Sequence, residues 1–438
     1  MQDDQRPHDP YQERLGDQAE RASGGQIGRM CLFVIFSLLF ITVFVKAPGT
    51  GDVQTFLQWI SDVRKLGVVS AFHQYSDQYP PLCFLVFGIL ARIADFLKAP
   101  DFIVLKFTIG LALLGCALGL ARCRGRWEPQ IGLVTICVLA INALFLGYID
   151  VFCLGFVVWA FNCFQGRKWQ LGAALFTIGC FVKWQPLIIA PFVALYLWPI
   201  PFTSVITRYL QGSIEYAKRI WPAVILILAV VLFFGMDPIR STFYNAVTDD
   251  VMSGNALNLN WLSTAYLRIY GGVGTQGGTI RYLMNSAFDY PSIVLASRLL
   301  FYSMYISLLL AFVSTDRRFV DLIKFTILGY FAYFIFNIGV HENHLIVAAV
   351  LSIFWIFLEP RRALEGAILA IMANVNLVVF YGISGQTPNF GTVVFGLDAT
   401  IYLAAFNVVF FFILWAPIMF ELFRSLSSSR RSSVGSSA

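Results

Sequence analysis

Apolar runs long enough, or nearly so, to cross a lipid bilayer recur along most of this chain, and that recurrence leaves few folds open to it. They lie at about 29–46, 102–121, 129–146, 148–165, 169–183 and 185–199, then at about 221–236, 291–313, 322–340, 343–358, 364–382 and 398–420. Inside lipid no water meets the backbone polar groups, so such runs form helices that satisfy their own N–H and C=O groups. We therefore expect an all-α polytopic membrane protein with about twelve transmembrane helices. Charged residues make up 13% of the chain, roughly half the share (about 25%) found in soluble domains. The eight cysteines lie mostly within apolar runs and read as small buried hydrophobes rather than a disulfide frame. No basic stripe suits a nucleic acid, and no nucleic-acid partner is expected.

The domain organisation follows from this pattern. Residues 1–28 mix acids with bases and read as a cytoplasmic tail, 29–420 as the transmembrane domain, and the Ser-rich 425–438 as a disordered cytoplasmic tail. Placing the N-terminus inside puts Arg122, Arg124, Arg126, Arg167, Lys168, Arg317, Arg318, Arg361 and Arg362 inside as well, as the positive-inside bias requires. Two long segments, 47–101 and 237–290, then lie on the outer face. In the first, Val53, Phe56, Leu57, Ile60, Val63 and Leu66 recur at helical spacing, with Gln54, Gln58, Ser61, Asp62 and Lys65 largely opposite. That pattern predicts an amphipathic helix lying on the membrane surface. Residues 82–91 are apolar, but Arg92, Asp95 and Lys98 follow quickly. So short a run predicts a re-entrant segment within the same outer loop.

The residues capable of chemistry gather on this outer side. Asp52 follows the first crossing and starts the surface helix, where it could cap free amides or act as a general base toward a hydroxyl. Tyr79-Pro80-Pro81-Leu82 fixes an extended lead into the following helix. Asp150 sits at a tight turn at the edge of lipid, where an acid needs either a partner or a role. Lys183, beside Pro186, could snorkel or could bind a phosphate. Asn255, Asn258 and Trp261 could hold a hydroxyl-rich ligand against a ring, or could simply form a turn. Arg268 and Arg281, near the glycine-dense GGVGTQGG, could clamp an anionic lipid. His341, Glu342 and His344 have the wrong spacing for the HExxH zinc motif, so they suit phosphate binding or acid–base work; no metal site and no cofactor is assigned.

Taken in order, Gly51-Asp52, YPPL at Tyr79–Leu82, G-x-x-D at Gly147–Asp150, K-x-Q-P at Lys183–Pro186, N-x-x-N…W at Asn255–Trp261 and H-E-x-H at His341–His344 resemble the GT-C superfamily of membrane glycosyltransferases. The likeness is nearest to the dolichyl-phosphate-glucose-dependent glucosyltransferases and their bacterial relatives, and it covers about residues 30–360 by order of elements. It implies a GT-C fold and an inverting hexose transfer from a polyprenyl-phosphate donor to a glycan or glycolipid acceptor. Asp52 would be the base. Lys183, His341, Glu342, His344, Arg268 and Arg281 would bind the donor phosphate, and Tyr79, Asp150, Asn255, Asn258 and Trp261 the substrate. The chain departs from the pattern at Tyr148, where bacterial relatives often have Gln, and at Asn343, where the eukaryotic branch often has Lys. The short loops point to a bacterial inner membrane with a periplasmic site. Two competing readings are a transporter or flippase, which would need mid-membrane polar residues and repeated halves, and an O-antigen polymerase or ligase, which would use Arg and His in a late outer loop.

Overall fold

The computed structural model of the chain describes residues 24–76, 78–200, 206–241, 251–271, 289–385 and 393–435. Seven described helices are long and apolar enough to cross a membrane, and the chain is a helical, multi-pass membrane protein. They occur within α1 (Gly24–Phe44), α5 (Asp101–Ala121), α10 (Ile206–Phe234), α12 (Pro291–Val313), α13 (Phe319–Phe336), α15 (Ala363–Tyr381) and α16 (Ala399–Gly435). Shorter apolar helices lie between them: α6 (Pro129–Ala140), α7 (Asp150–Gln165), α8 (Trp169–Val182), α9 (Ala190–Leu197) and α14 (Ile346–Leu358). At 1.5 Å per residue, a 13-residue helix such as α14 rises about 20 Å, short of a hydrocarbon core of roughly 30 Å. Packing accounts for it: every residue of α14 from Ile346 to Trp355 is buried, as expected of a helix that is apolar all round. α16 carries helical backbone to Gly435, past the end of its apolar run near residue 420.

Segment 47–101, expected on the outer face, forms α2 (Gly51–Leu66), α3 (Val68–Gln74) and α4 (Pro81–Leu97). α2 is amphipathic as its spacing predicts, but its buried side packs against the protein. Trp59 sits in an aromatic cluster with Tyr75, Tyr79, Phe84 and Phe87. Asp62 departs from the expected polar face. It is buried because Gln58 Nε2 (3.0 Å) and the Tyr75 hydroxyl (2.7 Å) donate to its carboxylate, which removes the penalty of desolvating it. Residues 81–97 form a single helix with Pro81 in its first turn, where a missing N–H costs nothing. Arg64 on α2 holds Asp95 on α4 and, through two bonds of 3.0 and 2.6 Å, Asp101 at the start of α5. The α2–α4 segment is thereby fastened to the start of α5.

Chain direction sorts the connections into two groups. The C-terminal ends of α1, α6, α8, α13 and α15 meet the starts of α2, α5 and α7 at one end of the bundle, called here the motif end. Two contacts fix the sense of α1: Phe44 packs on Phe145 (4.8 Å between centroids), while Gln26 donates to the Trp127 carbonyl at the opposite end. Two short strands lie at the motif end, β1 (Ser253–Gly254) parallel to β2 (Val340–His341). Another pair, β3 (Val393–Val394) and β4 (Leu397–Asp398), is antiparallel.

Candidate functional site

Separate connections are drawn together at the motif end by backbone and side-chain contacts. α6 ends in a π-helical turn, Ile141–Phe145, a geometry that frees carbonyls from the regular ladder. The buried Lys106 of α5 takes one of them, donating to the Leu144 carbonyl. Just beyond the turn, the Thr50 amide donates to Leu146 O at 2.9 Å. This approach requires Gly49, which has a φ of +80° and where an added Cβ would lie 2.8 Å from Leu146 O. Gly51, by contrast, faces open space. Asp52 is thus set in the first turn of α2, directly beside the Gly147–Asp150 turn.

Beneath Asp52 lies a buried polar layer. Lys183 caps α8 in an extended conformation, and its Nζ is 2.5 Å from Asp150 Oδ1. Asn142 Nδ2 (3.2 Å) and Asn343 Nδ2 (3.1 Å) donate to Asp150 Oδ2. Asp150 is fully buried and Lys183 nearly so, which such a pair tolerates only with good geometry and saturated lone pairs. The Tyr79 ring covers the ammonium, 5.6 Å from its centroid, adding a cation–π contact. Lys183 therefore does not snorkel; Asp150 holds it inside.

The H-E-x-H segment forms the far wall. β2 pairs with β1 so that Gly254 lies opposite His341, and a Cβ at Gly254 would sit 2.4 Å from His341 Nδ1. Glu342 turns inward, is buried, and accepts the Tyr148 hydroxyl at 2.6 Å. Tyr381, at the end of α15, meets Tyr148 edge-on, with 6.3 Å between ring centroids. The His344 ring stacks against Tyr333, whose hydroxyl is 3.1 Å from His344 Nδ1. Asn376 on α15 ties the walls together: Nδ2 donates to Glu342 O (2.9 Å) and Oδ1 accepts the Leu257 amide (2.7 Å).

Two ionisable side chains of this assembly remain accessible, Asp52 and His341. Partial burial raises the Asp52 carboxyl above the usual carboxylate range, with Lys183 and then His341 pulling it back down and Asp150 adding to the rise. Burial raises Glu342 too, opposed by His341 and the Tyr148 hydrogen bond. The site is therefore layered, with an accessible acid and imidazole at the mouth above a buried Lys–Asp pair.

The expected residues divide between this cluster and other duties. Asp52, Tyr79, Asp150, Lys183, Asn255, His341, Glu342 and His344 converge. Asn258 does not: it donates to Phe334 O (3.0 Å) and accepts the Trp261 amide (2.9 Å), which caps α11 (Leu259–Gly271). Trp261 is fully buried, its Nε1 donating to Thr400 Oγ1 at 2.9 Å. Arg281 and the side chain of Arg268 lie outside the described residues. Asn142, Asn343, Asn376, Tyr148, Tyr381 and Lys106 join or support the cluster without having been assigned a role from sequence. Polar residues inside apolar runs are the signal that marks most of them. Among the described residues, no group of three or more His, Cys, Asp or Glu side chains is arranged to hold a metal ion. No family model matches the chain, and no curated protein matches it in sequence.

Proposed function

We propose that the chain is a GT-C-type inverting glycosyltransferase of about twelve spans that moves a hexose from a polyprenyl-phosphate donor to a glycan or lipid-linked acceptor. The observation that carries this reading is the layered cluster at one end of the bundle: accessible Asp52 and His341 over buried, Asp150-bound Lys183. An inverting displacement needs a base for the incoming hydroxyl and positive charge facing the departing phosphate. Asp52 takes the hydroxyl proton as the acceptor oxygen attacks the anomeric carbon. Its raised proton affinity brings it nearer the operating pH and makes it a better base than an exposed aspartate. Lys183 and His341 face the phosphate as the glycosidic C–O bond breaks. Open space at Gly51 leaves room for a substrate beside Asp52.

The architecture suits a lipid-linked donor, whose tail stays in the bilayer while its sugar-phosphate reaches the interface. The inner-membrane, periplasmic-face location belongs to the same proposal. Sugar transfer from a panel of polyprenyl-phosphate sugars by the purified chain, with a membrane-lipid extract supplying acceptor, tests it. Transfer by the wild type that is lost in Asp52→Asn supports the assignment. Near-normal transfer by that variant removes the base.

A further inference from the structure

A groove with a cavity volume of about 1030 Å³ opens on the side of the bundle between α5, α7 and α8. It follows α7 from Val151 to Gly166, about 22 Å at 1.5 Å per residue. Missing side chains open it: a Cβ at Gly115 would meet nothing within 4 Å, and one at Gly155 only the Ala112 carbonyl at 4.0 Å. Its wall is held rigidly, with Trp159 Nε1 donating to Gly115 O (3.1 Å) and Asn162 Nδ2 to Gly119 O (2.7 Å).

The end of the groove remote from Asp52 is polar in a particular way. Arg122 and Lys168 both line it, and both act electrostatically on Cys163 between them. Several other cations at that end of the bundle sit on carboxylates, as Arg124 and Arg126 do on Glu128 and Arg362 on Glu365, while Arg317 sits on backbone carbonyls. Arg122 and Lys168 have no such partner among the described residues; Arg122 lies over the Trp127 ring. Beside them Asn162 Oδ1 is buried with no hydrogen-bond partner. Gln165 lines the same end, is 9% exposed, and has no side-chain hydrogen bond among the described residues. A native buried polar group without a partner marks where one is missing.

We propose that this groove binds an anionic glycerophospholipid with a hydroxyl-bearing headgroup, its phosphate between Arg122 and Lys168 and an acyl chain along α7. Charge selects the phosphate. The headgroup hydroxyls donate to Asn162 Oδ1 and Gln165 Oε1. A choline headgroup would bring a cation against two cations and no donor. A polyprenyl phosphate would bring charge but no hydroxyl beside it. The site is separate from the Asp52 cluster, and the inference does not depend on the transferase reading.

Native mass spectrometry of the full chain in detergent, with phosphatidylglycerol and phosphatidylcholine added at equal concentration, tests it. We expect preferential retention of phosphatidylglycerol. Arg122→Gln with Lys168→Gln should weaken that retention by about thirtyfold, the product of two interfacial cations. Both are exposed side chains, so loss of folding does not confuse the result. Gly155→Leu, which fills the groove and leaves the charges in place, should also lower retention, and Arg361→Gln at the same end should not. Equal retention of the two lipids would overturn the proposal, as would an equal loss in Arg361→Gln or a preference for polyprenyl phosphate at equal concentration.

Discussion

The two ends of the bundle carry charge in opposite ways. At the basic end most pairs are local and exposed: Lys218 with Glu215, Arg318 with Asp321 and Arg362 with Glu365 are each three residues apart. Such pairs contribute about 0–1 kcal/mol each. In the cluster at the motif end the pairs are buried and distant in sequence. Lys183 meets Asp150 across 33 residues, Asn343 meets Asp150 across 193, and Glu342 meets Tyr148 across 194. Desolvating a charge costs several kcal/mol, and a buried pair is weak support for stability on its own. A fold gains little from building such a cluster for stability alone, and in a membrane protein buried ionisable groups mark function. The contrast teaches that substitutions in the Asp52–Lys183 layer should remove activity, while those at the basic end should remove stability or nothing.

Asp52→Asn is the strongest attempt to break that contrast. Loss of a general base lowers rate by about 10²- to 10⁴-fold, so transfer per folded molecule should fall into that range with the melting temperature unchanged. The pH profile sharpens the same point. Asp52 is held above the usual carboxylate range and must be ionised to accept a proton, so kcat/KM should decline as pH falls through that raised value. The decline should begin at higher pH than for an exposed aspartate, and Asp52→Asn should abolish this limb. Full activity well below the ordinary aspartate range would exclude Asp52 as the base.

Lys183→Met comes next. It strands the Asp150 carboxylate in a buried site, a loss of about 3–5 kcal/mol in folding stability. Adding Asp150→Asn removes the stranded charge, so the double variant should recover most of the melting temperature without recovering transfer. Recovery of both would make the pair purely structural. Failure to recover stability would mean that Lys183 has other partners of equal weight.

Much of this arrangement was legible in the sequence, and the remainder has identifiable physical reasons. Apolar runs located the helices because lipid permits no other backbone solution. The ordered motifs located Asp52, Lys183 and the His341–His344 segment because polar residues at helix ends stand out against that background. Asn142 and Asn376 escaped because a single amide in an apolar run carries no sign of its partner, which lies 8 residues away for one and 119 for the other. Asp62 looked solvated because helical spacing reports a face and not what covers it. Asn258 and Trp261 looked like ligand contacts because the same donors that suit a sugar also suit the Phe334 and Thr400 oxygens that occupy them.

Arg317 probes the basic end at a residue that is not merely decorative. Its guanidinium donates to the carbonyls of Leu195 and Trp198 (2.8 and 3.1 Å) and of Ile200 (2.8 Å), satisfying the C-terminal end of α9, whose last carbonyls have no helical partners. Arg317→Ala should cost about 2 kcal/mol, the scale of a charged hydrogen bond. Thermal melting in detergent should show that loss, with transfer per folded molecule intact. A selective loss of transfer would show that the two ends are coupled and that the contrast is too simple.

The smallest expected effect tests the contrast from inside the motif end. Trp261→Phe keeps an aromatic ring against Phe380, now 5.1 Å away in an edge contact, and removes only the Nε1 bond to Thr400. The Thr400 hydroxyl retains Asp398 Oδ1 at 2.6 Å, so no buried group is stranded and the loss should be about 1 kcal/mol. Donor KM and kcat should not change, since the indole is enclosed and reaches no accessible surface. A raised donor KM with an unaltered melting temperature would put Trp261 on the ligand after all, and the boundary between chemistry and scaffold would then lie deeper in the bundle than the Asp52–Lys183 layer.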